Sequence, residues 1–108
     1  MIAAEPYPPY DRPPLSKEYL AGERDESALR FRPPDWYADN HIELLLGERA
    51  MRLDPAAREV TTSAGTRVAY EQLLIATGSA PRHLPSAAGY HNVHELRTPD
   101  DAHSLRAE

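Results

Sequence analysis

The sequence predicts an α/β fold, on three observations. Residues 49–70 hold three short alternating segments divided by turn signals, the pattern of a three-stranded antiparallel meander with one wet face. Gln72-Leu73-Leu74-Ile75-Ala76 is a continuous apolar run that stops at Thr77-Gly78, as in a parallel-sheet strand buried on both faces. Thr98-Pro99-Asp100-Asp101 reads as a helix start, with a capping hydroxyl, a proline at the first position and an acid three residues after the cap.

The remaining elements follow in chain order. Residues 6–14 hold five of the eleven prolines and read as an extended arm of polyproline character, because each proline fixes φ and removes a backbone donor. Leu15 to Ala21 is expected to make two helical turns ended by Gly22, and the charged, aperiodic residues 23–32 read as loop. Pro34-Asp35-Trp36-Tyr37-Ala38-Asp39 suggests a short helix with proline and acid at its start. Ile42 to Leu46 is expected to be a short buried strand ending at Gly47. The meander strands are Arg49 to Leu53, Arg58 to Thr62 and Thr66 to Tyr70, with turns at Asp54-Pro55 and Ser63-Ala64-Gly65.

Composition narrows the function classes. The 108 residues carry a formal net charge of −5 with no basic run, which argues against nucleic-acid binding. The chain has no cysteine, so it can supply neither a disulfide, a redox dithiol nor a thiolate metal site. No apolar stretch reaches the roughly 20 residues of a membrane span, and the start lacks a basic region followed by an apolar one. A soluble cytoplasmic protein is the expectation. His91-x-x-His94 is the one histidine pair with ligand-like spacing, reads as loop surface, and no metal is assigned.

The arm Pro8-Pro9-Tyr10-Asp11-Arg12-Pro13-Pro14-Leu15-Ser16-Lys17 admits two readings from composition. One is a disordered tail or a PxxP ligand for an SH3-like domain. The other is a cofactor-binding segment, since the arm runs into a helix start where Arg12 and Lys17 could share an anion or an electron-rich ring. Residue order adds to this. Pro9-Tyr10-Asp11-Arg12-Pro13-Pro14-Leu15-Ser16-Lys17-Glu18-Tyr19-Leu20 resembles the segment after the second strand in the ferredoxin-reductase family of flavoproteins, to which putidaredoxin reductases belong and apoptosis-inducing factor is related. Two more stretches fall in that family's order: Pro34 to Ala38 leading to Ile42-Glu43-Leu44 and Gly47, and Tyr70 to Ser79 followed by Pro81-Arg82 and Leu96-Arg97-Thr98.

The resemblance implies a partial FAD-binding domain, Rossmann-like and of glutathione-reductase type, with a three-stranded antiparallel meander but without the first βα unit. It implies transfer of electrons from NAD(P)H through FAD to a ferredoxin-like iron–sulfur protein. Lys17 would sit against the isoalloxazine near N5 as the catalytic residue, and Arg12 and Pro13 would follow the cofactor along the arm. Ala50 would hold the adenine end through its backbone, Ala76, Thr77 and Gly78 would pass close to flavin and phosphates, Arg97 would reach the flavin, and Glu5 would take the ribose hydroxyls. Taken singly each has a plainer reading: Lys17 as a solvated lysine, Arg97 as a partner of Asp100 or Asp101, Ala76-Thr77-Gly78 as an ordinary strand end.

The departures carry expectations of their own. The five glycines, Gly22, Gly47, Gly65, Gly78 and Gly89, form no Gly-x-Gly-x-x-Gly loop, so the first strand and its helix are expected to be missing. Residues 1–108 are then a fragment of an FAD/NAD(P)-binding domain: arm 6–14, meander and buried strand 42–78, and 98–108 opening a linker helix to an NAD domain. The apolar run at 72–76 is expected to stand exposed unless self-association or another chain completes the sheet. The isolated chain is then expected to be inactive. The rival class is a non-enzymatic fragment that binds a partner through its proline arm or sheet edge. A third reading is an apoptosis-inducing-factor-like flavoprotein without reductase turnover.

Overall fold

A computed structural model describes all residues, Met1–Glu108. The chain divides into two compact units, Met1–Pro9 with Arg32–Ala76, and Tyr10–Phe31 with Thr77–Glu108.

In the first unit β1 (Ile2–Ala3) pairs in parallel with β2 (Leu45–Leu46), Ile2 opposite Leu45 and Ala3 opposite Leu46. Backbone bonds extend the pairing beyond both strands: Leu45 N–H donates to the Met1 carbonyl (2.8 Å), Gly47 N–H to Glu5 (3.0 Å) and Glu48 N–H to Ala3 (3.0 Å). The strand expected at 42–46 is therefore shorter, and only half-buried.

The helix α1 (Pro34–Asp39) forms as expected, with Pro34 in the first turn and Asp35 beside the positive helix end. Its end is a Schellman motif. His41 N–H donates to Ala38 O (3.0 Å) and Ile42 N–H to Tyr37 O (2.8 Å), while His41 takes the left-handed φ of +56°. Glycine is the ordinary residue there, because a Cβ in that conformation costs about 1–2 kcal/mol.

The meander also forms: β3 (Ala50–Asp54), β4 (Glu59–Thr62) and β5 (Arg67–Ala69), antiparallel in the order β3-β4-β5. Leu53 faces Val60 and Val60 faces Val68, with a register irregularity between Ala50 and Arg52. The Asp54 carboxylate accepts from Ala56 N–H (3.1 Å) and Ala57 N–H (2.9 Å), which is the physical content of the Asp-Pro turn signal. Val60 and Thr62 are buried, and the Thr62 hydroxyl donates to the Glu48 carboxylate while accepting from Thr66 N–H (3.2 Å).

Residues 72–76 form no ladder. The strand buried on both faces is not present within this chain: Leu73, Leu74 and Ile75 are 41%, 88% and 65% exposed. No other segment pairs with this run, and an apolar strand without neighbours has nothing to bury against. The run stands exposed, as expected where no strand lies beside it.

The second unit packs Leu15, Tyr19, Leu29 and Ala102 into a small core, with Tyr10, Leu20 and Leu96 against it. The helix expected over 15–21 is instead a 3-10 turn at Pro13–Ser16 followed by irregular turns. Pro13 and Pro14 have no N–H, so the first donor is that of Leu15, which reaches only three residues back to Arg12 O (2.9 Å). Lys17 then leaves helical space at φ −130°, ψ −116°. The loop expected at 23–32 contains a second 3-10 turn, Glu26–Leu29, capped by Asp25 and burying Leu29. The arm is pinned, not free: Tyr10 bridges Arg30 in antiparallel fashion, Asp11 N–H donates to Leu29 O (2.8 Å), and Pro14 is buried.

The helix α2 (Pro99–Ala107) begins as the sequence predicts, with a full capping box. Thr98 Oγ1 accepts from Asp101 N–H (3.2 Å), and the Asp101 carboxylate accepts from Thr98 N–H (2.8 Å) and Arg97 N–H (3.0 Å). Partial burial disfavours the Asp101 carboxylate, but the bonds from Thr98 and Arg97 outweigh it and hold its carboxyl below the ordinary 3.8.

Two outcomes follow for stability. His41→Gly should raise unfolding stability by about 1 kcal/mol, read as a higher urea midpoint at unchanged slope. A lowered folded-state pKa means that Asp101 contributes fully above its unfolded value near 3.8, and that the contribution is lost as pH falls through the lower folded value. The stability gap between the wild type and Asp101→Asn should therefore be constant from pH 7 to 5 and narrow below about pH 4. A gap that does not change with pH down to the lowest pH at which the chain folds would remove Asp101's charge from the account.

Candidate functional site

Three stretches far apart in sequence meet in the second unit. From the arm, Arg12 Nη1 donates to the Arg97 carbonyl (2.7 Å) and to the Tyr10 hydroxyl (2.8 Å). The Arg12 guanidinium also lies over the Tyr10 ring, its Cζ 4.9 Å from the centroid. From the stretch before α2, Arg97 is held by the capping carboxylate of Asp101 on its own N–H. From the third stretch, Gly78 lies against Arg97 with φ +68°, and a Cβ built there would come within 3.1 Å of Arg97 Nη2. Backbone sign and close approach both demand glycine at 78.

Arg12, Leu15, Ser16, Leu96 and Arg97 line an open hollow of about 150 Å³. Complete small-molecule sites run to roughly 300–1,000 Å³, so the hollow suits one wall of a site. Its lining joins two leucines to two arginines, a donor set that fits a group with a flat apolar part and electron-rich or anionic atoms. The glycine cradle under the Arg97 guanidinium is a second feature of a close backbone approach. The residues present thus fit a flavin.

Lys17 follows the lining residue Ser16. Its side chain is exposed and makes no ion pair or hydrogen bond. Pro13 is the exposed first residue of the 3-10 turn, and Thr77 precedes Gly78, also exposed. Of the expected site residues, the structure therefore gathers Arg12, Gly78 and Arg97, with Pro13 and Thr77 as chain neighbours and Lys17 next to the lining residue Ser16. Glu5, Ala50 and Ala76 belong to the first unit. There Glu5 lies two residues beyond β1 and its carbonyl accepts from Gly47 N–H, while Ala50 opens β3 opposite Thr62.

Sequence reasoning missed Tyr10, and read Asp101 as the helix-capping acid and, with Asp100, as a plain partner of Arg97. Both touch the arginines directly. The signal for Asp101 was present, because a capping-box acid at the third helical position reaches back to the residues before the cap. For Tyr10 no spacing rule gives the contact.

The whole chain, residues 1–108, matches the family model described as pyridine nucleotide-disulphide oxidoreductase. Rhodocoxin reductase of Rhodococcus erythropolis is 40% identical over 106 residues, which covers 97% of this chain and 25% of that protein. A ferredoxin–NAD(P)(+) reductase of a Sphingomonas species is 40% identical over 110 residues, covering 100% of this chain and 26% of that protein. Among solved structures, the covalent putidaredoxin reductase–putidaredoxin complex superposes on 98% of this chain and 26% of its own with a TM-score of 0.89 at 37% identity. The chain belongs to the pyridine nucleotide-disulphide oxidoreductase family. It spans about a quarter of the length of the curated relatives it matches. Despite the family's name, the chain has no cysteine to contribute to disulfide chemistry.

Gly78→Ala should force the Arg97 guanidinium aside and strain the backbone, costing about 1–2 kcal/mol. The measurement is the urea midpoint of the chain. A midpoint equal to that of the wild type would mean that Gly78 does not carry this constraint.

Proposed function

We propose that this chain forms one wall of the FAD site in an NAD(P)H-dependent reductase that delivers electrons to a ferredoxin-like iron–sulfur protein. The observation that carries the reading is the meeting of Arg12, Arg97 and Gly78 beside one hollow whose lining includes Leu15 and Leu96. FAD, when bound, supplies the conversion between a two-electron donor and a one-electron acceptor.

In this reading the protein's own residues bind and tune. Arg12 and Pro13 hold the cofactor along the arm, and Arg97 meets it from the start of α2. Thr77 and Gly78 admit it closely, with Ala76 before them. Lys17 is the catalytic residue, an unpaired ammonium held near ring atom N5, where fixed positive charge favours the electron-rich reduced form without a proton transfer. Glu5 takes the ribose hydroxyls and the Ala50 backbone holds the adenine end. Residues 98–108 open the linker helix toward an NAD(P)H-binding domain, arm 6–14 delivers Arg12, and 42–78 is the meander with the strand that needs a neighbour. The exposure of Leu73, Leu74 and Ile75 supports completion of the sheet by a further strand, from elsewhere in the protein, a second copy or another chain. No helix is long and apolar enough to cross a membrane, which accords with a cytoplasmic reductase.

The rival, an SH3-type proline ligand, loses support from the arm itself. Tyr10 and Asp11 are committed to Arg30 and Leu29, and Pro14 is buried. A ligand of that kind must present its prolines.

The test is direct. After the chain is mixed with FAD and desalted, flavin absorbance should remain with altered fluorescence. Lys17→Ala should keep the flavin but lower its two-electron potential by about 30 mV, equivalent to ~1.4 kcal/mol. No flavin retained by the wild type would count against this wall binding by itself, and an unchanged potential would end the Lys17 assignment.

A further inference from the structure

Arg12 is planar and offers its donors in a fixed fork, so two bonds in different directions set the whole group. Its Nη1 has two protons and two acceptors, the Tyr10 hydroxyl at 2.8 Å and the Arg97 carbonyl at 2.7 Å. The Tyr10 ring lies beneath the same guanidinium at 4.9 Å. Tyr10 itself cannot drift, because its backbone bridges Arg30, the next N–H donates to Leu29 O (2.8 Å), and its side chain packs on the core of Leu15, Tyr19, Leu29 and Ala102.

We infer that Tyr10 is a positioning residue for Arg12, clamping the guanidinium onto the Arg97 carbonyl so that arm and helix start face the hollow as one preformed wall; this rests on the flavin-site reading above. The hydroxyl sets the direction of one Nη1 proton and the ring sets the plane. Without the hydroxyl, Arg12 loses one of the bonds that fix the direction of its guanidinium, and the freedom regained at that end must be removed again on cofactor binding.

Tyr10→Phe isolates the hydroxyl, since it keeps the ring over the core and under the guanidinium. The first readout needs no cofactor. In the wild-type chain at low temperature, the two Nη1 protons of Arg12 should give separate, protected nuclear magnetic resonance signals. In Tyr10→Phe they should merge by rotation, at an unchanged melting temperature. Separate signals in Tyr10→Phe, or merged ones in the wild type, overturn the inference.

The second readout is the dissociation constant for FAD. Tyr10→Phe should raise it about tenfold, as expected for a lost hydrogen bond to a charged group. The same change made on an Arg12→Lys background should add no further loss, because Tyr10 acts through Arg12. Equal losses on both backgrounds would mean that Tyr10 acts independently, and would overturn the positioning role. If the wild type binds no FAD, the flavin reading and the cofactor half of this inference fall together, while the proton signals still decide the clamp.

Discussion

The carboxylate of Asp101 is the constraint on which the second unit turns. Its bonds to the N–H groups of Arg97 and Thr98 start α2, since four N–H groups at a helix start lack partners along the chain. Once α2 is started, Ala102 is fully buried beside Leu15, Tyr19 and Leu29, and His103 Nε2 meets the Tyr19 hydroxyl at 2.6 Å. Tyr19 is a buried ring with its hydroxyl at the rim, and burial raises its pKa, so the neutral phenol persists. The same carboxylate fixes the Arg97 backbone, whose carbonyl receives Arg12 and whose guanidinium covers Gly78. One acid thus couples helix initiation to the geometry of the hollow.

The first unit obeys a different constraint, the pairing of backbone polar groups. β1 and β2 are two residues each, yet the bonds from Leu45, Gly47 and Glu48 extend their pairing. The meander satisfies itself through antiparallel ladders and the Asp54 turn. Residues 72–76 have the composition of a core strand and no partner in this chain. Their exposure follows from the lack of a pairing strand within this chain and not from the segment's own preference, since Leu and Ile runs between Gln72 and Thr77 gain nothing from water.

What could be read from the sequence divides along the range of the interactions. The α2 start was legible because Thr98, Pro99 and Asp101 form a local motif, and the meander because its turns carry Asp-Pro and Gly signals. The 3-10 turns were not: four residues are too few for a period, and the effect of Pro13-Pro14 on the next turn emerges only from counting absent donors. The β1–β2 pairing joins residues more than forty apart and leaves no local trace. At the site, Arg12, Gly78 and Arg97 were named from residue order and resemblance, and they meet. Tyr10 was passed over because a tyrosine between prolines looks like linker until its hydroxyl has a partner.

Two arginines beside one small hollow are unfavourable as an isolated arrangement, since like charges in a partly desolvated space repel. The Arg12 guanidinium is oriented by two dipoles, the Tyr10 hydroxyl and the Arg97 carbonyl, which accept from Nη1 at 2.8 Å and 2.7 Å, while the Asp101 carboxylate accepts from the N–H groups of Thr98 and Arg97. Both arginines line the hollow in this arrangement, where an incoming electron-rich or anionic group relieves their mutual repulsion.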